Sequence, residues 1–323
     1  MRGLPDRVAR RLAAAGADGR DPLGPIARRA RAAPTGHPGE VRAAVIEVVE
    51  VGPLVTVQDR GRFGLAHLGV PRAGALDAPA AALANRVVGN DPDDAVLEVL
   101  LGGLVLRSDA GCWVAVTGAG GPGRAAWLAP GAELRVERPP TGLRSYVAVA
   151  GGIAVEPVLG SRSTDTLAWV GPAPVEAGAR LPVGEPRREP PPFDAPRPPR
   201  PGPLRVHPGP RADWFADDVL DRLCAAAYVV GADSNRVGLR LEGERLPPRR
   251  DDELASEGMV LGAVQVPPSG QPVVFLADHP PTGGYPVVAV VDPADLWQCA
   301  QLRPGEEVRF TPAPPPASGG ARP

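Results

Sequence analysis

The stretch LADHPPTGGYPVVAVV, residues 276–291, places Asp278 and His279 at the end of an apolar run. Two prolines follow, then Thr282, Gly283, Gly284 and Tyr285. A carboxylate, an imidazole, a hydroxyl and two bare glycine N–H groups can converge on an amide or a carboxylate. The prolines fix φ at one end, and the glycines admit another group close to the backbone at the other. The same residues also suit a tight hairpin carrying a solvated Asp–His pair. The residue types leave both readings open.

Three further stretches carry chemistry-bearing side chains. QDRGRFGLAHLGVPRAGALD, residues 58–77, sets Gln58, Asp59, Arg60 and Arg62 just past a strand-like run. Asp59 and Arg62 suit either a substrate site or a structural ion pair that holds the loop. DSNRVGLRLEG, residues 233–243, contributes Arg236 and Arg240, which share one face of a strand. An arginine fork there suits a bidentate grip on a carboxylate or phosphate, or simply a barrel rim. ASEGMVLGAVQVP, residues 255–267, adds Ser256, Glu257 and Gln265.

Composition excludes several chemistries. The 323 residues carry a net charge of −2, so no attraction to nucleic acid or to a membrane surface is expected. All 35 basic residues are arginine. A lysine Schiff base, a biotinyl-lysine and a P-loop lysine are therefore absent from this chain. No G-x-S-x-G, H-E-x-x-H, C-x-x-C or P-loop pattern occurs. Cys112, Cys224 and Cys299 lack metal-ligand spacing, so no metal is expected and a reducing, cytoplasmic setting is. No apolar run reaches the roughly 18 residues of a membrane span. Polar side chains without a nucleophile–base pair point to a site completed by another chain.

The elements that must position these residues are short strands. Proline, at 43 residues, keeps helices brief. Residues 1–44 read as a disordered extension, 45–184 as a first β module, 185–203 as a proline-rich linker, 204–311 as a second β module and 312–323 as a disordered tail. The modules repeat one another. GPLVTV at Gly52 answers GPLRVH at Gly202, and residues 98–116 lie over residues 257–275 at a constant offset of 159. In that alignment Gly103 meets Gly262, and Gly111 meets Gly270. One shared topology of barrel-like strands is expected for both halves. Helices are expected after Asp77 as N-cap, after Asp292 as N-cap with Pro293 in the first turn, and within residues 213–225.

The motifs TVQDRGRFG, GVPRAGALD, LGSRST, NRVG, GAVQVPPSGQPVVFLAD, TGGYP and LRPGEEVRF stand in one order along the chain. Together they resemble the carboxyltransferase A/B subdomain family. That family includes the C component of the ATP-dependent 5-oxoprolinase, the Kip antagonist protein and the corresponding part of urea amidolyase. The resemblance implies a mainly β protein of two tandem cyclophilin-like β-barrel modules with a few short helices. It implies a companion C/D-type partner like the B component of that enzyme, a third lactam-utilisation subunit, a small cyclic amide substrate and ATP held by the complex. One alternative is biotin-dependent carboxyl transfer to urea or a similar amide. Another is a regulatory module that antagonises a kinase inhibitor. Under the main reading Asp59, Asp278 and Thr282 are the catalytic candidates. Gln58, Arg62, Arg236, Gln265, Gly283, Gly284 and Tyr285 are the substrate-binding candidates.

Overall fold

A computed structural model describes residues 44–192, 200–250 and 253–314. The expected N-terminal extension, the centre of the linker and most of the expected tail lie outside the described residues. The first half contains β1 (Val45–Glu50), β2 (Leu54–Gln58), α1 (Ala78–Val87), β3 (Val96–Leu100) and β4 (Leu104–Ser108). It continues with β5 (Cys112–Gly118), β6 (Ala125–Leu128), β7 (Glu133–Val136), β8 (Arg144–Val149) and β9 (Arg180–Pro182). The second half contains β10 (Leu204–Pro208), α2 (Val219–Ala225), β11 (Ala227–Val230), β12 (Gly238–Glu242), β13 (Glu257–Gly258) and β14 (Ala263–Gln265). It ends with β15 (Val273–Phe275), β16 (Thr282–Gly283), β17 (Val287–Val291), α3 (Leu296–Gln301) and β18 (Glu307–Pro312).

The mainly β class expected from the sequence is present. The second half is a closed barrel in the order β10-β17-β14-β15-β12-β11-β18. Leu239, Leu241, Val264, Val274 and Val288 fill its interior with the aromatic pair Tyr228 and Phe310. The first half is built from two sheets, β7-β4-β1-β9 and β2-β3-β8-β5-β6. Alternation along β3 explains how the five-stranded sheet is buried on both faces. Leu97 and Val99 join Ile46, Val48, Leu104 and Leu106 between the sheets. Val96 points the other way and packs with Ala84 and Val87 of α1. Each fully buried valine or leucine stabilises the fold by about 1.5–3 kcal/mol.

The internal repeat is visible in the backbone. Gly103 and Gly262 adopt φ of 80° and 84°, and Gly111 and Gly270 both adopt 78°. Strands β4 and β5 lie where the alignment puts β14 and β15. Their pairing differs, so the expectation of one topology is corrected. β14 pairs with β15, whereas β4 is flanked by β1 and β7 and lies in a different sheet from β5. With both its edges occupied, β4 cannot form the hairpin with β5 that closes the other barrel.

Asp77 caps α1 as expected, its Oδ1 accepting from Ala80 N at 3.0 Å. The helix expected from Asp292 begins three residues later. Asp292 Oδ1 accepts from Ala294 N within the preceding turn, and Asp295 stands at the N-cap of α3. The Asp295 carboxylate is instead gripped by Arg205 Nε and Nη2, each at 2.8 Å.

The halves meet across a buried polar seam centred on Arg236. The β12–β15 ladder pairs Gly238 with Phe275, and its register continues outward. Leu276 N donates to Val237 O, and Asp278 N donates to Arg236 O. Arg236 and Asp278 thereby leave the barrel side by side. Arg236 Nε and Nη2 each donate to an Asp278 carboxylate oxygen at 2.9 Å. The fork then crosses to the first half, where Nη2 donates to Gly74 O at 2.7 Å and Nη1 to Glu98 Oε1. Glu98 Oε2 accepts from Leu76 N and the Tyr146 hydroxyl, and Arg144 lies 3.3 Å from Oε1. Burial by itself would raise the Glu98 pKa, but Arg236 and Arg144 hold it below its ordinary range. Gln301 extends the seam by accepting from Leu143 N and Arg144 N and donating to Asp77 Oδ2.

Removing one partner of a buried ion pair leaves an uncompensated charge, at about 3–5 kcal/mol. Arg236→Met is therefore expected to lower the urea-unfolding free energy by about that amount. Adding Glu98→Gln and Asp278→Asn should recover part of the loss. A single Arg236→Met variant as stable as the parent would contradict this role for the seam.

Candidate active site

A groove of about 400 Å³ opens beside the seam, between the halves. Arg62, Phe63 and Arg72 line it from the first half, and Met259, His279 and Pro281 from the second. The arginines sit on the long connection from β2 to α1, which carries glycines in place of regular structure. Gly61 has φ of 89°, and a Cβ there would lie 2.6 Å from the carbonyl oxygens of Arg72 and Ala73. That close approach lets Arg62 N donate to Arg72 O and folds the loop back on itself.

Arg62 is almost wholly buried, at 3% exposure. Its Nε donates to Val158 O at 3.0 Å and Nη2 to Ser163 O at 2.6 Å, while Nη1 has no hydrogen-bond partner. Arg72 Nε is also buried and unpartnered, and its guanidinium lies 4.3 Å from the Phe63 ring centroid. A buried donor without a partner costs about 1–3 kcal/mol, so two of them at one groove mark a place prepared for acceptors. Gln58 Nε2 donates to Thr56 Oγ1 and Thr164 O, and Gln58 Oε1 and Thr164 Oγ1 are unpartnered as well.

His279 supplies the other wall. Its Nδ1 lies 2.8 Å from Pro280 O, and its ring stacks on Phe275 with centroids 6.0 Å apart. A carbonyl oxygen only accepts, so Nδ1 carries the proton and Nε2 holds a lone pair. Burial lowers the His279 pKa, and the positive charge of Arg72 lowers it further, against the raising effects of Pro280 O and Asp278. The imidazole is a neutral base at pH 7. The groove thus combines two arginines with open donor capacity and one fixed hydrogen-bond acceptor.

The remaining candidates fall into three groups. Asp59 anchors the loop of residues 161–166 against the arginine loop. Its Oδ1 accepts from Gly61 N, Ser161 Oγ and Ser163 Oγ, and its Oδ2 from Arg162 N at 2.6 Å. Burial by itself would raise its pKa, but these donors hold it below the ordinary aspartate range. It forms no ion pair with Arg62 in this structure, because hydroxyl and amide donors occupy its oxygens. Asp278 and Arg236 belong to the seam directly behind the groove. Asp278 is fully buried, and its carboxylate is filled by Arg236 and by Thr166 N and Oγ1. No oxygen of Asp278 faces open space.

Thr282, Gly283, Gly284 and Tyr285 lie beyond Pro281 at the outer edge. Thr282 and Gly283 pair with Gly258 and Glu257 in a two-stranded ribbon, and Thr282 and Tyr285 are exposed. The two glycines do not form a tight hairpin turn here. Gly283 makes room for its neighbours, since a Cβ would lie 3.1 Å from Gln265 Nε2 and 3.3 Å from Met259 Cε. Gln265 Nε2 donates to Tyr285 O, which ties this loop to the barrel.

Arg72, Ser161, Ser163, Thr164 and Thr166 were not singled out as site residues from the sequence. The run SRSTDT, residues 161–166, offers four hydroxyls in six residues, and that density was the available signal. Arg72 lies in GVPRAGALD without a distinctive neighbour. Among the described residues, no three His, Cys, Asp or Glu side chains converge as metal ligands.

This fold is that of a carboxyltransferase-type domain. The family model described as carboxyltransferase domain, subdomain A and B, matches residues 68–312, and the chain belongs to that family. It is 38% identical over 280 residues to the C component of 5-oxoprolinase from Escherichia coli K12, covering 82% of this chain and 90% of that protein. Urea amidolyase of Saccharomyces cerevisiae is 30% identical over 312 residues, covering 83% of this chain and 16% of that protein. The crystal structure of TTHA0988 superimposes with a TM-score of 0.76 at 40% identity, covering 85% of this chain. This chain spans 56% of TTHA0988. The Kluyveromyces lactis urea amidolyase structure gives 0.76 at 28% identity, covering 85% of this chain and 19% of that one.

Asp59 has a depressed pKa, so its stabilising effect is present above the ordinary aspartate range. The effect is lost as pH falls through the lower folded value. Asp59→Asn should destabilise the protein at pH 7 by about 1.5–3 kcal/mol, typical of hydrogen bonds to a charged group. It should also flatten the acid limb of stability against pH. Urea titrations from pH 3 to 7 measure both; an unchanged acid limb would contradict this assignment.

Proposed function

We propose that the chain is a subunit of an ATP-dependent 5-oxoprolinase complex and that the groove holds the cyclic amide. The similarity to the C component of 5-oxoprolinase, along 90% of that protein, carries this reading. The groove chemistry supports it. A lactam bearing a carboxylate needs cationic donors for the carboxylate and an acceptor for its ring N–H. Arg62 Nη1 and Arg72 Nε supply the first, and His279 Nε2 the second. Asp59 and Asp278 act as positioning residues that hold the walls. Thr282, exposed at the rim, is placed to meet substrate or a partner chain. The chain has no lysine and no phosphate-binding loop, so ATP is assigned to the assembled complex. A companion of the C/D type and a third protein complete that assembly. No described helix is long and apolar enough to cross a membrane.

The test is reconstitution with the companion proteins and assay of 5-oxoproline-dependent ATP hydrolysis. This chain alone should be inactive and the complex active. Arg72→Gln should raise KM for the lactam about tenfold or more, equivalent to about 1.4 kcal/mol of lost binding, with a smaller effect on kcat. Equal turnover by the isolated chain, or none by the complex, contradicts the proposal.

The similarity to urea amidolyase favours one second reading, carboxyl transfer from carboxybiotin to urea or a similar amide. The biotin would have to arrive on another chain. Urea- and biotin-dependent turnover without lactam turnover would select it. Tight partner binding with no turnover on either substrate would instead select a regulatory module.

A further inference from the structure

A second cavity, of about 520 Å³, lies between the halves, within the roughly 300–1,000 Å³ range of small-molecule sites. It shares helix α3 with the groove but no lining residue. Leu296 lines the groove, whereas Trp297, Gln298 and Gln301 line this cavity. Thr141 and Gly142 of the first half form one wall, and the entry to β10 and the start of β18 form the others. The walls are fixed. Arg303 Nε donates to Gly142 O and Nη2 to Pro139 O, each at 2.6 Å, which clamps the turn of the first half to the end of α3.

Two glutamines on one face of α3 are bonded differently. Gln301 is saturated, since its Oε1 accepts from Leu143 N and Arg144 N and its Nε2 donates to Asp77 Oδ2 and Arg144 O. Gln298 Oε1 accepts from Gly202 N at 2.8 Å. A backbone N–H only donates, so this bond decides which end of the carboxamide faces Gly202. The other end, Nε2, has no partner among the described residues, although Gln298 is only 7% exposed. Nε2 is not sealed from solvent, and the space open to it is the cavity that Gln298 lines. The indole N–H of the adjoining Trp297 likewise has no partner among the described residues.

The rest of the lining decides what can meet these donors. Trp297, Leu204, Leu302 and Val308 make it largely apolar, and the indole offers a flat face beside the rings of Pro201 and Pro203. Its charges are Glu306, Glu307 and Arg309, all exposed at the rim. Two carboxylates stand against one guanidinium, and Arg309 Nε already donates to Glu307 Oε1 at 2.7 Å. An anion would meet net negative charge there, so the acceptor that fits the open donors is a neutral carbonyl. Glu306 Oε2 accepts from Arg303 N, which leaves the remaining rim carboxylate oxygens to accept from an incoming N–H.

We propose that this cavity binds a small planar ring bearing a neutral carboxamide. The ring lies against Trp297, the carbonyl accepts from Gln298 Nε2, and the amide N–H groups face Glu306 and Glu307. Such a ligand touches both halves and sits against Gln301, so its binding stabilises the junction that the Arg236 seam fixes.

The test uses the purified chain, with nicotinamide as the probe and nicotinate as its anionic counterpart, followed by ligand-observed NMR titration and by the thermal midpoint. Nicotinamide should bind saturably with a Kd of about 1 mM or below and raise the midpoint. Nicotinate should bind at least tenfold more weakly. Gln298→Glu keeps the acceptor for Gly202 N, removes the donor, and should weaken nicotinamide binding at least tenfold. Should that variant unfold, Trp297→Ala, at a half-buried position, carries the same expectation. Arg72→Gln, in the groove, should not change nicotinamide binding. Absence of saturable nicotinamide binding up to about 20 mM overturns the site. Parental affinity in the folded Gln298→Glu variant does the same. Binding that Arg72→Gln abolishes places the probe in the groove and overturns the proposal, and equal affinity for nicotinate overturns the carboxamide class.

Discussion

The Arg236 guanidinium is the contact on which the rest of the molecule depends. One planar fork meets Asp278 from its own barrel and Glu98 and the Gly74 carbonyl from the other half. Every member is buried, so the charges gain little from water and must satisfy one another. Burial would lower the Arg236 pKa, but Asp278 and Glu98 raise it, so the cation persists in the interior. An apolar interface of the same size could slide. This one has a single register, because a bidentate fork tolerates little displacement.

Fixing that register builds the groove. Arg62 and Arg72 arrive from one half, and His279 follows Asp278 directly in the other. Thr166 reaches the same carboxylate from the loop that Asp59 holds down. The chain of contacts runs from Asp59 through residues 161–166 to Asp278, Arg236 and Glu98. The donors with open capacity, Arg62 Nη1 and Arg72 Nε, are buried on residues that line the groove. The structure therefore separates saturated charges, which hold the walls, from unsaturated donors, which belong to groove-lining residues.

Much of the fold was legible in the sequence because local chemistry dictates it. Asp77, Pro79 and Gly89 bracket α1 whatever surrounds them. The matched glycines 103 and 262 mark equivalent turns because only glycine adopts those φ values at no cost. Pairing partners were not legible. Whether β4 meets β5 depends on β1 and β7, strands distant in sequence, and no local pattern records that competition. The α3 start was misplaced because Asp292 and Asp295 are both competent caps, and tertiary contacts decide between them.

The site was half legible for a similar reason. Residue type found Gln58, Asp59, Arg62, Arg236 and Asp278, which do come together. Type did not separate those that hold the walls from those that face the groove, because saturation is set by partners roughly 40 to 160 residues away. His279 and Arg72 gain their meaning only from the cavity between the halves.

The most direct measurement is a crystal structure of the reconstituted complex with 5-oxoproline. The lactam should lie in the groove, its carboxylate toward Arg62 and Arg72 and its ring nitrogen within hydrogen-bond distance of His279 Nε2, with the Arg236 fork unchanged behind it. A lactam bound elsewhere on the complex, with this groove empty, would contradict the account.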